Sequence, residues 1–199
     1  MIRPTAPAAR AKIVDVNDRR ELIGGIEKRD IRIVDYDAAW PRRFAEERAR
    51  IAAALGATAR RIDHIGSTSV PGLAAKPIID IDLSVPDVED EATYLDALLA
   101  VGYRLRVREP GHRMVRTPHH DVHVHICTLG SEWERRHLLF RDWLRLDAAD
   151  RTAYEQLKRK LAQRDWADMN AYAEEKGPLI TEITRRAQEW AQNCGWTPV

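Results

Sequence analysis

The spacing of apolar residues divides the chain into a mixed first half and a helical second half. Short apolar-rich runs predict strands at 31–34, 61–65, 78–85, 103–107, 113–117 and 121–128. Apolar residues at helical spacing predict one helix that opens within 37–41 and ends at Gly56, and a second helix over 88–100. From residue 131 onward the pattern predicts helices alone, over 131–146, 150–163 and 168–192.

This order of elements predicts an α+β fold, in which a mixed sheet with flanking helices is followed by a C-terminal helical half. We expect residues 1–30 to form an N-terminal arm and residues 31–199 to form a single domain. Within that domain, residues 31–130 would make the α/β core and residues 131–199 the helical part. A chain of 199 residues can bury a core without disulfides or a structural metal.

Composition narrows the classes of protein that this chain can represent. Hydrophobic residues make up 44% and charged residues 32%, which is typical of a folded globular protein. No apolar run approaches the roughly 20 residues that span a membrane, and the two cysteines, Cys127 and Cys194, form no disulfide framework. We therefore expect a cytoplasmic protein with no membrane partner. The formal net charge of +1 gives no reason to expect nucleic acid as a partner, so any phosphate-binding charge must be local.

The predicted strand at 78–85 carries two acidic residues among apolar ones. Because alternate strand residues share a face, Asp80 and Asp82 would project together while Ile79, Ile81 and Leu83 pack on the other side. Two carboxylates about 7 Å apart along a strand can share a divalent cation, and Mg²⁺ prefers such oxygen ligands. Taken alone, the pattern fits equally well a strand whose polar face contacts water.

A turn rich in small residues precedes this strand. Gly66, Ser67 and Thr68 follow the predicted strand 61–65, and Lys76 comes shortly before Asp80. Small residues let backbone N–H groups approach a phosphate, hydroxyl groups add donors, and a lysine adds charge. A Gly–Ser pair is also common in ordinary turns. The combination with a pair of carboxylates is typical of metal-assisted phosphoryl or nucleotidyl transfer.

Histidines alternate along the predicted strand 121–128. One face of that strand would carry the polar side chains of Asp121, His123, His125 and Cys127. Imidazoles at neighbouring same-face positions can bind a metal, donate to phosphate oxygens, or act as acid and base. The alternative is a pair of histidines satisfied by ordinary hydrogen bonds. His64, two residues before Gly66, could point to the same cleft.

The sequence also resembles the GrpB family. The resemblance covers nearly all of residues 31–187, and the motif from His64 to Asp80 is highly specific. The other matching segments are 33–37, Trp40-Pro41, His123-Val-His125, 137–145, Leu157-Lys158, Tyr172 and Lys176-Gly177.

The resemblance implies a nucleotidyltransferase-like fold, because the GrpB family is similar in fold to those enzymes. In nucleotidyltransferases a Gly-Ser turn binds the nucleoside triphosphate, and an Asp-x-Asp strand holds Mg²⁺ beside a third carboxylate. Carried over to this chain, Gly66 and Ser67 would contact phosphate, and Asp80 and Asp82 would hold Mg²⁺ or Mn²⁺. The third carboxylate has no clean counterpart. Where it is expected, the chain offers the imidazoles of His123 and His125.

The leading hypothesis is a metal-dependent nucleotidyltransferase-like enzyme that acts on a nucleoside triphosphate and a small-molecule acceptor. A carboxylate acceptor would give an acyl-nucleotide and a ligase-type second step. The catalytic residues would be Asp80, Asp82, His123 and His125, with His123 as a further metal ligand. The residues that bind phosphate would be Gly66, Ser67, Thr68, Lys76 and Arg141.

Two other functions fit the same residues. A transition-metal-dependent hydrolase would use His123, His125 and Cys127 with Asp80, since these ligands are softer than those that Mg²⁺ prefers. A nucleotide- or protein-binding module would keep the fold without the chemistry. The sequence leaves open which nucleotide, which acceptor and which oligomeric state apply.

Overall fold

The computed structural model describes residues 13–14, 20–28 and 30–198. Seven strands in this part of the chain form one sheet: β1 (Ile13–Val14), β2 (Glu21–Leu22), β3 (Arg61–Ile65), β4 (Ile79–Val85), β5 (Arg104–Glu109), β6 (His112–Arg116) and β7 (Val122–Thr128). Their order across the sheet is β1-β2-β5-β6-β7-β4-β3. Strands β4 and β7 are parallel, and all other neighbours are antiparallel.

Two helices lie in the first half and four in the second: α1 (Trp40–Leu55), α2 (Leu95–Ala100), α3 (Glu132–Leu146), α4 (Ala148–Ala162), α5 (Met169–Glu175) and α6 (Gly177–Cys194). None of the helices in the described ranges is long and apolar enough to cross a membrane. The α+β fold class with a mixed sheet, flanking helices and a helical C-terminal half is confirmed.

Helices α1 and α2 cover one face of the sheet. Helix α1 starts with Pro41 in its first turn, where a missing N–H costs nothing, and it ends at Gly56 with φ of 51°. Its residues Trp40, Ile51 and Leu55 recur at helical spacing and are buried. They form the main hydrophobic core together with the apolar residues of β4 and β7. This face therefore holds the apolar interior of the first half.

The helical half covers the opposite face of the sheet. Helix α3 lies across β3, β4 and β7, while α4 and α6 pack against α3. The N-terminus of α3 is capped by Ser131, whose hydroxyl accepts from the Glu134 N–H. Asp147 caps α4 in the same way, by accepting from the Asp150 N–H at 2.7 Å. The helices of the second half therefore cover the polar face of the sheet.

Three predicted elements differ from the structure. Residues 31–34 form no strand, because their only ladder contact is a bridge between Val34 and Ala75. Of the helix predicted over 88–100, only the last part forms a helix, α2. The residues before it fold into turns, in which Asp87 accepts from the Glu89 N–H and the Tyr94 hydroxyl donates to the Val88 carbonyl. The helix predicted over 168–192 is divided into α5 and α6, with a proline in the first turn of α6.

The N-terminal region adds two strands that the hydrophobic pattern does not predict. Strand β2 pairs with β5 through Leu22 and Val107, and the Ile23 N–H donates to the Arg106 carbonyl at 2.9 Å. Part of the predicted arm, residues 1–12, 15–19 and 29, lies outside the described residues. The division into an arm at 1–30 and a domain at 31–199 stays a prediction.

Candidate functional site

The polar faces of β4 and β7 lie side by side beneath the helical half. In the parallel register, Asp80 is opposite His123 and Asp82 is opposite His125. Their neighbours Ile79, Ile81, Leu83, Val122, Val124 and Ile126 are all buried on the other face. The predicted alternation on both strands is therefore confirmed, and the parallel pairing brings the carboxylates and the imidazoles together.

The turn before β4 comes so close to Asp80 that only glycine fits. Gly66 has φ of 67° and ψ of −173°, a conformation that L side chains rarely adopt. A Cβ atom at this position would lie 2.5 Å from Asp80 Oδ2. The Ser69 hydroxyl donates to the Gly66 carbonyl at 2.6 Å and holds the turn closed. The glycine turn and the first carboxylate of β4 thus form one compact unit.

His64 belongs to the apolar side of the sheet and does not enter the cleft suggested for it. Its ring stacks on Phe44 of α1 with centroids 4.8 Å apart. The Thr68 hydroxyl donates to the Ile78 carbonyl at 3.0 Å, so it accepts from His64 Nε2, also at 3.0 Å. Burial lowers the pKa of His64 to about 4 and keeps the ring neutral. His64 and Thr68 therefore support the Gly66 turn from the apolar side of the sheet.

Three lysines approach a small cavity beside the glycine turn. The cavity measures about 150 Å³ and is bordered by Gly66, Ser67, Thr68, Asp80, His123, Tyr154, Tyr172 and three lysines, Lys76, Lys158 and Lys176. The Lys158 ammonium donates to Ser67 Oγ at 2.9 Å and to the Ala74 carbonyl. The Nζ atoms of Lys76 and Lys176 lie 5.1 and 4.6 Å from the centre of the Tyr172 ring.

Burial destabilises the charged forms of two of these lysines, Lys158 and Lys176. Burial, followed by the charge of Lys176, lowers the pKa of Lys158 to about 7. Burial also lowers the pKa of Lys176, against the effect of the Asp80 carboxylate. Clustered buried cations are costly unless an anion compensates them. The cavity therefore has the electrostatic character of an anion-binding site.

Tyr172 supplies an independent indication of a ligand. The side chain is 1% exposed, and among the described residues its hydroxyl has no hydrogen-bond partner. A buried hydroxyl without a partner costs free energy. The same residue borders the lysine cavity. An oxygen-rich anion bound there could accept from the hydroxyl and satisfy it.

Asp80 lies at the border of the cleft and is 30% exposed. Its Oδ1 is 3.4 Å from His123 Nδ1 and 4.0 Å from His125 Nε2. Burial raises the pKa of the Asp80 carboxyl, but the hydrogen bond and charge of His123, together with the charge of Lys76, favour the carboxylate, and the pKa is lowered. Asp80 is therefore the carboxylate that a ligand in the cleft can reach.

Asp82 is more deeply placed and already has a partner. It is 1% exposed, and its two oxygens lie 2.9 and 3.0 Å from Nδ1 of His137 on α3. Burial raises the pKa of the Asp82 carboxyl, against the favourable charge and hydrogen bond of His137. Asp82 could contact a cation only if His137 moved aside.

A chain of two imidazoles and a carboxylate ends at the cleft. His112 Nε2 is 3.0 Å from His125 Nδ1, and His112 Nδ1 is 2.6 Å from Glu109 Oε1. The His112 ring stacks on Trp133 with centroids 4.0 Å apart. Burial lowers the pKa of both His112 and His125, and both rings are neutral.

Sequence reasoning missed Glu109, His112 and His137 as site residues. The first two lie at the β5–β6 turn, where they face each other in the antiparallel register. His112 reaches the cleft because β6 is the neighbour of β7. His137 lies inside one of the matching GrpB segments, and this was the one signal in the sequence that could have identified it.

Two predicted site residues lie away from the cleft. The buried guanidinium of Arg141 contacts Asp63 Oδ1 at 3.2 Å, the His64 carbonyl at 3.3 Å and Asp142 Oδ1 at 2.7 Å, and Arg141 does not border the lysine cavity. Cys127 is fully buried beside the Ser84 hydroxyl at 3.9 Å, and burial raises its pKa to about 12. The structure therefore brings neither side chain to Asp80.

A larger cavity of about 670 Å³ adjoins the lysine cavity. Both are bordered by Gly66, Asp80 and Tyr154. The larger one is further lined by two histidines, two arginines, apolar side chains and polar groups of α6: His125, Arg136, His137, Phe140, Ile180, Thr181, Thr184, Arg185 and Gln188. A ligand with a charged end and a larger body could fill both cavities across Asp80.

The carboxylates of Asp80 and Asp82 fit a cation that is coordinated partly by a bound ligand, and they do not fit a metal site made of protein side chains alone. Among the described residues, no group of three or more histidines, cysteines, aspartates or glutamates is arranged to hold a metal ion. Mg²⁺, however, is usually bound by one or two carboxylates together with water and substrate phosphates. Asp80, with Asp82 behind it, meets that requirement beside an anion-binding cavity. The same finding gives no support to a softer site that includes Cys127.

Comparisons with known proteins agree on one family. The family model described as GrpB protein matches residues 30–186. A UPF0157 protein of Streptomyces coelicolor is 55% identical over 167 residues, which are 84% of this chain and 89% of that protein. A dephospho-CoA kinase of Mycolicibacterium paratuberculosis is 33% identical over 202 residues, which cover 87% of this chain and 50% of the kinase. The crystal structure of the conserved protein GrpB from Enterococcus faecalis matches with a TM-score of 0.71 at 34% identity, covering 80% of this chain and 99% of that one.

Proposed function

The chain belongs to the GrpB family, and we propose that it is a nucleotidyltransferase-like enzyme that uses a nucleoside triphosphate and a small-molecule acceptor. One observation carries the proposal. Three lysines and Tyr172, whose buried hydroxyl has no partner among the described residues, border the cavity beside the glycine turn and Asp80. The terminal phosphates of a nucleotide match this lining, because they present several charged oxygens to ammonium and hydroxyl donors.

The phosphates would bind at the start of the turn. Lys158 Nζ is 2.9 Å from Ser67 Oγ, so an oxygen that accepts from Ser67 could also accept from Lys158. Lys76 and Lys176, which both contact the Tyr172 ring, would add charge. A bound anion would also raise the pKa of Lys158 from about 7 and restore its positive charge.

Asp80, and Asp82 after release of His137, are the residues that would hold Mg²⁺ or Mn²⁺. The cation, when bound, would supply charge neutralisation for the phosphoryl oxygens. The close contact of Gly66 with Asp80 would fix the distance between the turn and the carboxylate. The reacting phosphate would then lie at the junction of the two cavities, with the acceptor and the nucleoside in the larger one.

Thermal denaturation with and without nucleotide tests the proposal. ATP, GTP, CTP and UTP would each be added with Mg²⁺ or Mn²⁺ to the wild type and to Lys158→Met. A ligand that binds only the folded state raises the midpoint with occupancy, so at least one triphosphate should raise the Tm of the wild type and leave Lys158→Met unchanged. Lys160→Met is the matched control, because Lys160 is an exposed lysine of the same helix. No shift with any triphosphate, or an equal shift in Lys158→Met, would refute the proposal.

The missing third carboxylate favours one second candidate, a nucleotide-binding module without catalysis. Among the described residues, no further acidic side chain joins Asp80 and Asp82 in a metal-binding group. The match to half of a dephospho-CoA kinase is compatible with a supporting role beside another domain. Release of pyrophosphate separates the two candidates. A protein that binds a triphosphate yet releases no pyrophosphate with any acceptor would be the binding module.

A further inference from the structure

A third cavity, of about 410 Å³, adjoins the lysine cavity at a border separate from the larger cavity. It shares Lys76, Ile78 and His123 with the lysine cavity, and it has no lining residue in common with the larger cavity. Cavities of this size are typical of small-molecule sites. We name it the arginine cavity, because four arginines border it: Arg20, Arg32, Arg106 and Arg116.

Cationic side chains outnumber acidic ones around the arginine cavity. Among the described residues that border it, the cations are the four arginines and Lys76, and the acids are Glu27, Asp30 and Asp121. Glu27 binds Arg116 through two contacts of 2.5 and 2.9 Å. Asp121 binds Arg43 at 2.7 Å. Two of the three acids are therefore already compensated, and the excess of positive charge favours an anionic ligand.

Arg20 contributes a guanidinium that is only partly neutralised. Its Nε atom is buried, and among the described residues this atom has no hydrogen-bond partner. Glu109 Oε2 is 3.6 Å away, which is beyond hydrogen-bonding distance, and Glu109 Oε1 is 2.6 Å from His112 Nδ1. The Arg20 side chain as a whole is 39% exposed. A ligand at the accessible edge of the guanidinium could therefore neutralise a charge that Glu109 compensates only in part.

Arg106 is anchored before any ligand arrives. The residue is 8% exposed, and its Nη1 atom donates to the Ile23 carbonyl at 2.6 Å. The Ile23 N–H donates in turn to the Arg106 carbonyl at 2.9 Å. A carbonyl accepts this hydrogen bond without neutralising the charge. Because the guanidinium is already fixed, little conformational entropy would be lost when it binds an anion.

Apolar side chains form much of the remaining lining. They come from β2, β5, β6 and the segment before β4: Leu22, Val107, Met114, Pro77 and Ile78. In small-molecule sites such side chains contact the body of the ligand, while a few polar groups fix its orientation. An inorganic anion would leave this apolar surface without a partner. The lining therefore matches a ligand that has one charged end and an apolar body.

We propose that the arginine cavity is a second small-molecule site, and that it binds an organic acid whose carboxylate pairs with the arginines. The planar guanidinium fork matches the geometry of a carboxylate. A phosphate monoester would bring up to two negative charges beside Glu27 and Asp30, so the single charge of a carboxylate is the better match. The apolar body would contact Val107 and Met114. This site does not depend on the proposed nucleotidyl transfer, because it lies outside the larger cavity.

Methionine-methyl NMR tests the proposal with three probes that share an aromatic body. Met114 borders the arginine cavity, so its ¹³C-methyl resonance, assigned with Met114→Leu, reports when the cavity is occupied. The probes are phenylacetate, phenyl phosphate and the neutral phenylacetamide. Phenylacetate should shift the resonance saturably, with a Kd at least about tenfold lower than that of phenylacetamide, because a hydrogen bond to a charged group is stronger than a neutral one.

Three results with the wild type would overturn the proposal. The first is the absence of a Met114 shift with phenylacetate. The second is equal binding of phenylacetamide, which would show that the cavity recognises only the apolar body. The third is tighter binding of phenyl phosphate, which would exclude a carboxylate as the preferred charged group.

Substitutions at the border of the cavity test the role of the arginines. Arg20→Gln and Arg32→Gln change residues with exposed surface, and together they should weaken phenylacetate binding by about tenfold or more. Arg104→Gln is the matched control, since Arg104 is an exposed arginine of β5 that does not border the cavity. An unchanged Met114 resonance without probe would show that the fold is intact in each variant. Undiminished binding in the double variant would overturn the proposal.

Lys158→Met separates this site from the proposed triphosphate site. Lys158 borders the lysine cavity but not the arginine cavity, so the variant should bind phenylacetate as tightly as the wild type. Loss of phenylacetate binding in Lys158→Met would overturn the proposal, because it would place the acid in the lysine cavity. Failure of the wild type to bind any triphosphate would refute the proposed function alone and would leave the phenylacetate result unaffected.

Discussion

The two faces of the β4–β7 strand pair carry different kinds of side chain. One face presents the isoleucines and valines of both strands to α1 and α2, and these side chains are at most 2% exposed. The other face presents Asp80, Asp82, His123 and His125 to the cleft beneath α3. The same backbone therefore supports an apolar core on one side and a cluster of ionisable groups on the other.

This difference separates the residues that stabilise the fold from the residues that would bind a ligand or carry out catalysis. Buried apolar side chains stabilise the fold through burial and dispersion, so changes on that face should unfold the protein. Buried charges and imidazoles contribute little net stability and are costly unless paired. Their concentration on one face indicates that they are retained for binding or catalysis. Four substitutions test this division, and they are ordered by the size of the expected effect.

Ile81→Ala should have the largest effect on stability. Ile81 is fully buried between Asp80 and Asp82 and points into the main core. Truncation of such a residue leaves a cavity and should lower the free energy of unfolding by about 2–5 kcal/mol. Urea denaturation measures the change. Asp80→Asn, its neighbour on the cleft face, should change stability by less than about 1 kcal/mol, and equal losses in both variants would break the comparison.

His64 on the core face should make the fold sensitive to acid. Its pKa is about 4 in the folded protein and 6.5 in the unfolded chain. Between these values the unfolded chain binds more protons, so the free energy of unfolding falls as the pH drops from 6.5 towards 4, by up to about 3 kcal/mol. His64→Gln lacks this contribution. Urea titrations at pH 7, 6, 5 and 4 should show a steeper loss in the wild type, and parallel curves would argue against a buried neutral His64.

Gly66→Ala should affect the cleft more than the fold. The substitution places a Cβ atom 2.5 Å from Asp80 Oδ2 and forces alanine into a conformation reserved for glycine. Strain of this kind costs about 1–3 kcal/mol. The displaced turn and carboxylate should abolish the thermal shift produced by triphosphate. Gly72→Ala, also at a positive φ but in open space, serves as the control and should keep that shift.

Lys158→Met should have the smallest effect on the stability of the unliganded protein, where it should appear as a pH dependence. The pKa of Lys158 is about 7 in the folded protein and 10.5 in the unfolded chain. From pH 7 to pH 9 the unfolded chain keeps a proton that the folded protein loses, so the wild type should gain up to about 2 kcal/mol relative to Lys158→Met. Paired denaturation curves at the two pH values measure the gain. A constant difference would show that the buried lysine keeps its charge.

Local patterns predicted the strand faces well, because alternation depends only on neighbouring residues. The sharing of one face by Asp80 and Asp82, and by His123 and His125, follows from this period of two. The pairing of Asp80 with His123 could not be predicted, since it depends on the parallel register of strands more than 40 residues apart in sequence.

The remaining site residues come from elements that only the tertiary structure brings near. Glu109 and His112 belong to the β5–β6 turn, His137 to α3 and Lys176 to the boundary of α5 and α6. Arg141 shows the converse. The sequence analysis predicts that it adds charge at the phosphate site, but in the structure its guanidinium contacts Asp63.

The open edge of the sheet has a consequence for assembly. In the part of the chain that the structure describes, strand β3 has no neighbour on its outer side, and it carries Arg61 and Asp63, which form an ion pair. Charged side chains on an edge strand discourage pairing with another chain's strand. The β3 border is therefore a poor template for sheet extension, which would allow a domain of this kind to remain a separate folding unit when it is joined to a larger polypeptide.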